Sequence, residues 1–174
     1  MEPATPDPPA EEAGPLRAFL QRSEHPHALV LTGVRTSTQG VAGELWAHAV
    51  ERDRVLLTLG RRLLTAPRSD ALGLPANSLL HLPDAVVGEA GFERRVAEAA
   101  AQARTRGYVG VTLLVAPGQH VAGGLVALDA ALDAALPASP LERFCLYPLA
   151  WLRHQGPVDA VQLVRGHEDT LVLP

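Results

Sequence analysis

Short, continuously apolar runs alternate along this chain with longer stretches in which apolar residues recur every three or four positions. His27 to Thr32 (HALVLT), Arg54 to Leu59 (RVLLTL), Ser78 to Leu82 (SLLHL), Val109 to Val115 (VGVTLLV), Arg143 to Tyr147 (RFCLY) and Thr170 to Leu173 read as strands. The fuller runs have the unbroken hydrophobicity of strands covered on both faces. Between them, Val41 to Arg52 carries Val41, Leu45, Trp46, Ala49 and Val50 on one side. Phe92 to Arg106 carries Phe92, Val96, Ala99, Ala100 and Ala103, and Leu125 to Leu136 carries Leu125, Leu128, Leu132 and Leu136 in register. Each is an amphipathic helix, and Gly107 stops the second of them. A short helix at Leu16, Phe19 and Leu20, a weaker one from Leu63 to Leu72 interrupted by Pro67, and a last one from Pro157 to Arg165, with proline in its first turn, complete the pattern.

Strands separated by helices of about a dozen residues need crossover connections. The pattern therefore predicts α/β architecture: three layers, α/β/α, around a mostly parallel central sheet. Residues 15–174 are expected to form this single domain. Met1 to Gly14 holds four prolines and four acidic residues with almost nothing bulky, and is expected to be a mobile, disordered tail.

Composition narrows the chemistry. The chain has 174 residues, 47% of them hydrophobic, enough for one substantial core. All fifteen basic residues are arginine. Without lysine there is no Walker-type phosphate loop and no Schiff-base nucleophile. A net charge of -4 gives no basic footprint, so no direct nucleic-acid partner is expected. The single cysteine, Cys145, closes no internal disulfide, and neither a signal peptide nor a membrane-length apolar run is present. A cytoplasmic protein without a membrane partner follows as the expectation.

In open parallel sheets ligands sit beyond the carboxyl ends of the strands, where strand order reverses. The loop Gly33 to Gly40 follows the first strand and offers Arg35, Thr36, Ser37 and Thr38 ahead of a helix amino terminus. Such a loop can hold an anion; the same residues also make an ordinary capped turn. Arg61 follows the second strand, His81 and His120 the third and fourth, and Tyr147 ends the fifth. Together these are the candidate ligand-binding residues.

His27, His81, His120, Cys145 and His167 raise the question of a metal, but none falls at a legible zinc spacing. His27 and His167 belong near the amino edge, away from His81 and His120, so a site using all five is geometrically implausible. No metal site and no cofactor are expected; a pairing with Cys145 stays open beside the reading of Cys145 as a small buried hydrophobe. The serines lack the GxSxG elbow. Asp129 and Asp133 lie one turn apart on a helix whose leucines face the core, and are expected to be solvated. With no nucleophile, base or metal in view, the chain is expected not to be an enzyme.

The run Arg106-Gly-Tyr-Val-Gly-Val-Thr, the leucine-bearing helix, Phe144-Cys-Leu-Tyr147, then Pro157-Val-Asp-Ala-Val-Gln-Leu-Val-Arg-Gly-His167 and a closing apolar strand resemble the MEDS (methanogen and methylotroph sensory) domain family. His27 leading into the first strand resembles that family's opening histidine, so the resemblance spans about residues 25–173. The residues that match are His27, Gly107, Tyr108, Cys145, Tyr147 and His167. Ala116-Pro-Gly-Gln-His120 stands where the family usually has an acidic residue and a tryptophan, and the first strand lacks the aromatic and acidic residues that commonly follow it. The resemblance therefore implies a divergent member. It also implies a layered fold related in shape to RecA and KaiC, without their phosphate loop, and a role in sensing small ligands.

The expected function is a non-enzymatic, small-ligand-sensing or regulatory signalling domain acting through a partner protein, with homo-oligomer formation open. Trp46, Trp151 and the segment Tyr147 to His154 are candidate contact sites. Two other readings stand beside it: a degenerate RecA-like scaffold that binds nothing small, and a nucleotide-using enzyme that grips phosphate with Arg35 and Arg61.

Overall fold

The apolar runs lie side by side in one sheet. The computed structural model describes residues 14–22, 27–83, 90–118, 124–136 and 142–174; the tail expected at the amino terminus lies almost wholly outside them. The strands are β1 (Ala28–Thr32), β2 (Arg54–Gly60), β3 (Leu79–Leu82), β4 (Gly110–Ala116), β5 (Glu142–Pro148) and β6 (Asp169–Leu173). The helices are α1 (Pro15–Leu20), α2 (Thr38–Glu51), α3 (Ala66–Leu72), α4 (Phe92–Thr105), α5 (Gly124–Ala135), α6 (Leu149–His154) and α7 (Pro157–Arg165), with a 3-10 turn at Ala76–Ser78.

The six strands are ordered β3-β2-β4-β5-β1-β6 and every pairing is parallel. Alternation along each strand sends successive side chains to opposite faces, and both faces are apolar. Leu29, Leu31, Leu57, Leu113 and Tyr147 belong to one core with Val96, Leu128 and Leu163 of α4, α5 and α7. Val30, Leu56, Leu114 and Phe144 belong to the other, with Phe19 of α1 and Leu45 and Trp46 of α2. The chain runs from β1 across to β2 and β3, then returns through β4 and β5 to β6. Outbound and return crossovers must lie on opposite faces if both are right-handed, and they do. The expected three-layer architecture is thus present, with the sheet wholly parallel.

Three local differences have physical causes. Helix α2 starts at Thr38, earlier than its apolar periodicity suggests, because the Ser37 hydroxyl accepts from the Gly40 N–H at 3.1 Å and polar capping residues leave no hydrophobic signal. Pro67 falls in the first turn of α3, where its missing N–H costs nothing, so it opens the helix instead of interrupting it. Helix α6 is too short to show a helical period, yet Leu149, Trp151 and Leu152 pack on the α4–α5–α7 core. Trp46 is not a contact site: it is fully buried, and its indole N–H donates to Ser78 Oγ at 2.7 Å. Gly107 ends α4 as expected, at φ 90°, which favours glycine.

Candidate functional site

At the carboxyl edge the candidate ligand residues do not converge. The loop after β1 packs against the end of β6: Gly33 N–H donates to the Leu173 carbonyl at 2.7 Å and the Thr36 hydroxyl donates to the Pro174 carbonyl. A Cβ at Gly33 would lie 2.5 Å from the Pro174 carbonyl carbon. Ser37 caps α2, which is the ordinary-turn arrangement, and Arg35 is exposed. Arg61 follows β2, separated from β1 by β4 and β5. His81 sits on edge strand β3, four strand positions from β1, or about 19 Å at ordinary strand spacing. Its Nδ1 lies 2.9 Å from Thr58 Oγ1. A groove of about 250 Å³ opens there, lined by Leu80, His81, Arg95 and Glu98 among others. His120 lies outside the described residues. Tyr147 is wholly buried in the core and does not reach the open edge.

The chemistry gathers inside the molecule instead. His27 precedes β1, Cys145 is in β5, Asp129 is on α5 and His167 links α7 to β6; all four are buried. One ligand-type atom from each lies within 4.8 Å of every other. Register explains half of this. Leu29 pairs with Cys145, so Cys145 and His27 share the face that α5 and α7 cover. The Glu168 N–H donates to the His27 carbonyl at 2.9 Å, which brings His167 against His27. The two rings are 3.9 Å apart between centroids, tilted by 46°. Gly166 makes room for the carboxylate, since a Cβ there would lie 3.2 Å from Asp129 Oδ2.

Asp129 Oδ1 is the hub: 3.3 Å from His27 Nε2, 3.5 Å from His167 Nε2 and 4.0 Å from Cys145 Sγ. His27 Nε2 lies 3.6 Å from Cys145 Sγ. The expectation that Asp129 is solvated is therefore corrected. Asp129 stands four residues after Leu125 and three before Leu132, on the helix face that meets the sheet. Asp133 is half-exposed but accepts from Arg143. The same arginine donates to His27 Nδ1 at 2.7 Å.

Hydrogen bonding fixes the tautomers. His167 Nδ1 faces the Leu163 carbonyl at 2.7 Å and must donate its proton there, leaving the Nε2 lone pair turned toward a carboxylate oxygen. That nitrogen and Tyr147 Oη are buried without a hydrogen-bond partner. Burial holds His167 below the usual histidine range, against its Leu163 hydrogen bond and the Asp129 charge. Burial, reinforced by Asp129, pushes the Cys145 thiol up to about 12, and burial with the nearby Cys145 and Asp129 raises the Tyr147 phenol well above its ordinary value. A thiol so raised is no nucleophile at neutral pH. Two imidazoles, a thiol and a carboxylate are, however, a donor set suited to a d-block cation.

No protein-family model and no curated protein sequence matches this chain. Of the six residues that carry the MEDS resemblance, His27, Cys145 and His167 belong to the cluster and Tyr147 lies beside it. Gly107 and Tyr108 stand in the α4–β4 turn, where Tyr108 Oη donates to Asn77 Oδ1 at 3.0 Å. Their place is structural.

A second polar group lies on the opposite face. Glu142, at the start of β5, is buried with His48 Nε2 at 3.0 Å and the Thr112 hydroxyl at 3.2 Å, and with Arg52 and Arg54 at 3.7 and 3.8 Å. Burial pushes its carboxyl up, but the His48 hydrogen bond and the charges of His48, Arg52 and Arg54 together outweigh this and hold it below the usual value. Sequence reasoning misses this set because its members come from α2, the α2–β2 turn, β2, β4 and β5. Every acceptor oxygen already has a partner, so its role is structural.

Proposed function

We propose that the chain is a non-enzymatic, cytoplasmic sensory or regulatory domain, a divergent relative of the MEDS family, that recognises a small ligand at the His27–Asp129–Cys145–His167 cluster and reports through a partner protein. One observation carries the reading: ligand-type side chains gather in the buried interior, while the loop where nucleotide enzymes of similar layout bind phosphate is packed against Leu173 and Pro174. Among the described residues, no helix is long and apolar enough to cross a membrane, in keeping with this placement. Helix α7 offers a route outward: Leu163 is buried beside the cluster, His167 follows the helix directly, and Val158, Val161 and Val164 are exposed on its outer side. Exposed apolar stripes of this kind mark contact surfaces.

A thermal-shift screen over nucleotides, small organic acids, hydrocarbons and metal ions tests it. A rise in melting temperature with one of these classes, abolished by Asp129→Asn, is the expected result. Stabilisation by ATP that disappears on Arg35→Ala would overturn the reading in favour of a nucleotide enzyme. Stabilisation only by a partner protein would leave a scaffold.

A further inference from the structure

We infer that His27, Asp129, Cys145 and His167 bind a divalent d-block cation of the zinc class. The inference deepens the sensory reading and rests on it for the biological role, but not for the binding itself.

Geometry is the first support. Zinc-to-ligand bonds of about 2.0–2.3 Å place the donors of a tetrahedral site roughly 3.3–3.8 Å apart. His27 Nε2 to Asp129 Oδ1 is 3.3 Å, His167 Nε2 to Asp129 Oδ1 is 3.5 Å, and His27 Nε2 to Cys145 Sγ is 3.6 Å. The Cys145–Asp129 separation of 4.0 Å is close to that range. Four of the six separations thus lie in or near the tetrahedral range, and all four donors fall within 4.8 Å of one another.

The second support is independent of spacing. His167 has its Nδ1 proton committed to the Leu163 carbonyl, the arrangement by which a backbone acceptor orients a metal-ligating imidazole. Its side chain is fully buried, and its Nε2 lone pair points at a carboxylate with no donor between them. Two electron-rich atoms facing each other in a low-dielectric interior repel. A cation between them converts both into ligands.

Charge is the third. A carboxylate and a thiolate balance a divalent ion, leaving an electroneutral unit in an apolar surrounding, while Arg143 and Asp133 balance each other alongside. On binding, the Cys145 S–H bond breaks, sulfur bonds the metal and one proton leaves to solvent. The His27 proton moves from Nε2 to Nδ1, so that Nε2 can coordinate. Arg143, which can only donate, then gives up His27 and stays on Asp133. His167 and Asp129 need no such change.

The test uses the full chain, stripped with a chelator and titrated with Co²⁺ as a spectroscopic stand-in for Zn²⁺. Expected are one ion per chain, a near-ultraviolet thiolate-to-cobalt charge-transfer band, the intense visible bands of a tetrahedral site, and displacement of both by Zn²⁺. Cys145→Ser should abolish the charge-transfer band, and His167→Ala should weaken binding at least tenfold, with far-ultraviolet circular dichroism showing that each remains folded. No charge-transfer band in the wild type, or an undiminished band in Cys145→Ser, would overturn the inference. If a variant fails to fold, the wild type still decides: absence of the band refutes the site, and its presence assigns it, because Cys145 is the sole cysteine. Failure here leaves an organic ligand for the sensor untouched. Metal binding that alters no partner interaction would retire the sensory role and keep the site.

Discussion

Arg143 illustrates how one side chain can hold a neighbouring ring in a particular tautomer. It donates to His27 Nδ1 and to Asp133, which fixes the free His27 ring as the Nε2–H tautomer, the form that cannot coordinate through Nε2. Removing the guanidinium should therefore tighten metal binding. Arg143→Ala is expected to lower the Co²⁺ dissociation constant by up to about tenfold, the order of one hydrogen bond; an unchanged or weaker constant in the same titration would contradict the assigned tautomer. Glu142 makes a different prediction. Its carboxyl is held below the ordinary Glu value of roughly 4.3, so the folded state binds fewer protons there than the unfolded state. Its contribution is complete above that ordinary value and lost as pH falls through the lower folded value. Urea midpoints measured from pH 7 down to pH 3 should fall steeply at the acid end for the wild type and less so for Glu142→Gln. At pH 7 that substitution, which strands His48 and the two arginines, is expected to cost roughly 3 kcal/mol.

The strands were legible because the four inner ones are apolar on both faces, and all six stand within one or two residues of where their hydrophobicity predicts them. Helices were legible where an apolar period showed: α4 and α7 are clear and six-residue α1 is marked by Leu16, Phe19 and Leu20, while α6, equally short, shows no such period and the cap of α2 lies outside its apolar face. The β1–α2 loop was half legible. Its hydroxyls and glycines mark a turn, but nothing local shows that the end of β6 packs on it. That packing is testable. Gly33→Ala drives a Cβ into the Pro174 backbone, which cannot yield as a flexible side chain would. A loss of about 1–3 kcal/mol is expected, with faster hydrogen exchange along β6 and little change in β2 or β4; uniform exchange across the sheet would argue against a local clash.

Taken as a whole, the described part of the molecule places its buried charged and histidine side chains on either side of β5, where Glu142 serves one face and Arg143 and Cys145 the other. Among the described residues, the α5–α7 side holds the buried imidazole nitrogen without a partner, His167 Nε2. A bound ion should therefore stabilise the entire fold. At a free Zn²⁺ concentration about a hundred times the dissociation constant, linkage gives about 2.7 kcal/mol, or a rise in melting temperature of roughly 5–11 °C for a domain of this size. The shift should vanish in Asp129→Asn; an equal shift in that variant would place the metal elsewhere.

The sequence alone determined the layered α/β class, the parallel sheet and the absence of lysine-based phosphate chemistry. Each of these follows from local hydrophobic period or from composition. It also carried a usable sign for Asp129, three and four residues from core leucines, although a carboxylate on a helix is ordinarily solvated. Tertiary structure alone decided the site. His27 and Cys145 are distant in the chain and meet because β1 pairs with β5. His167 joins them because β6 pairs with the other side of β1, and Asp129 because α5 packs over that same face. Strand order is a property of long-range pairing, which no local pattern encodes; a cluster assembled by it becomes visible only when the sheet is closed.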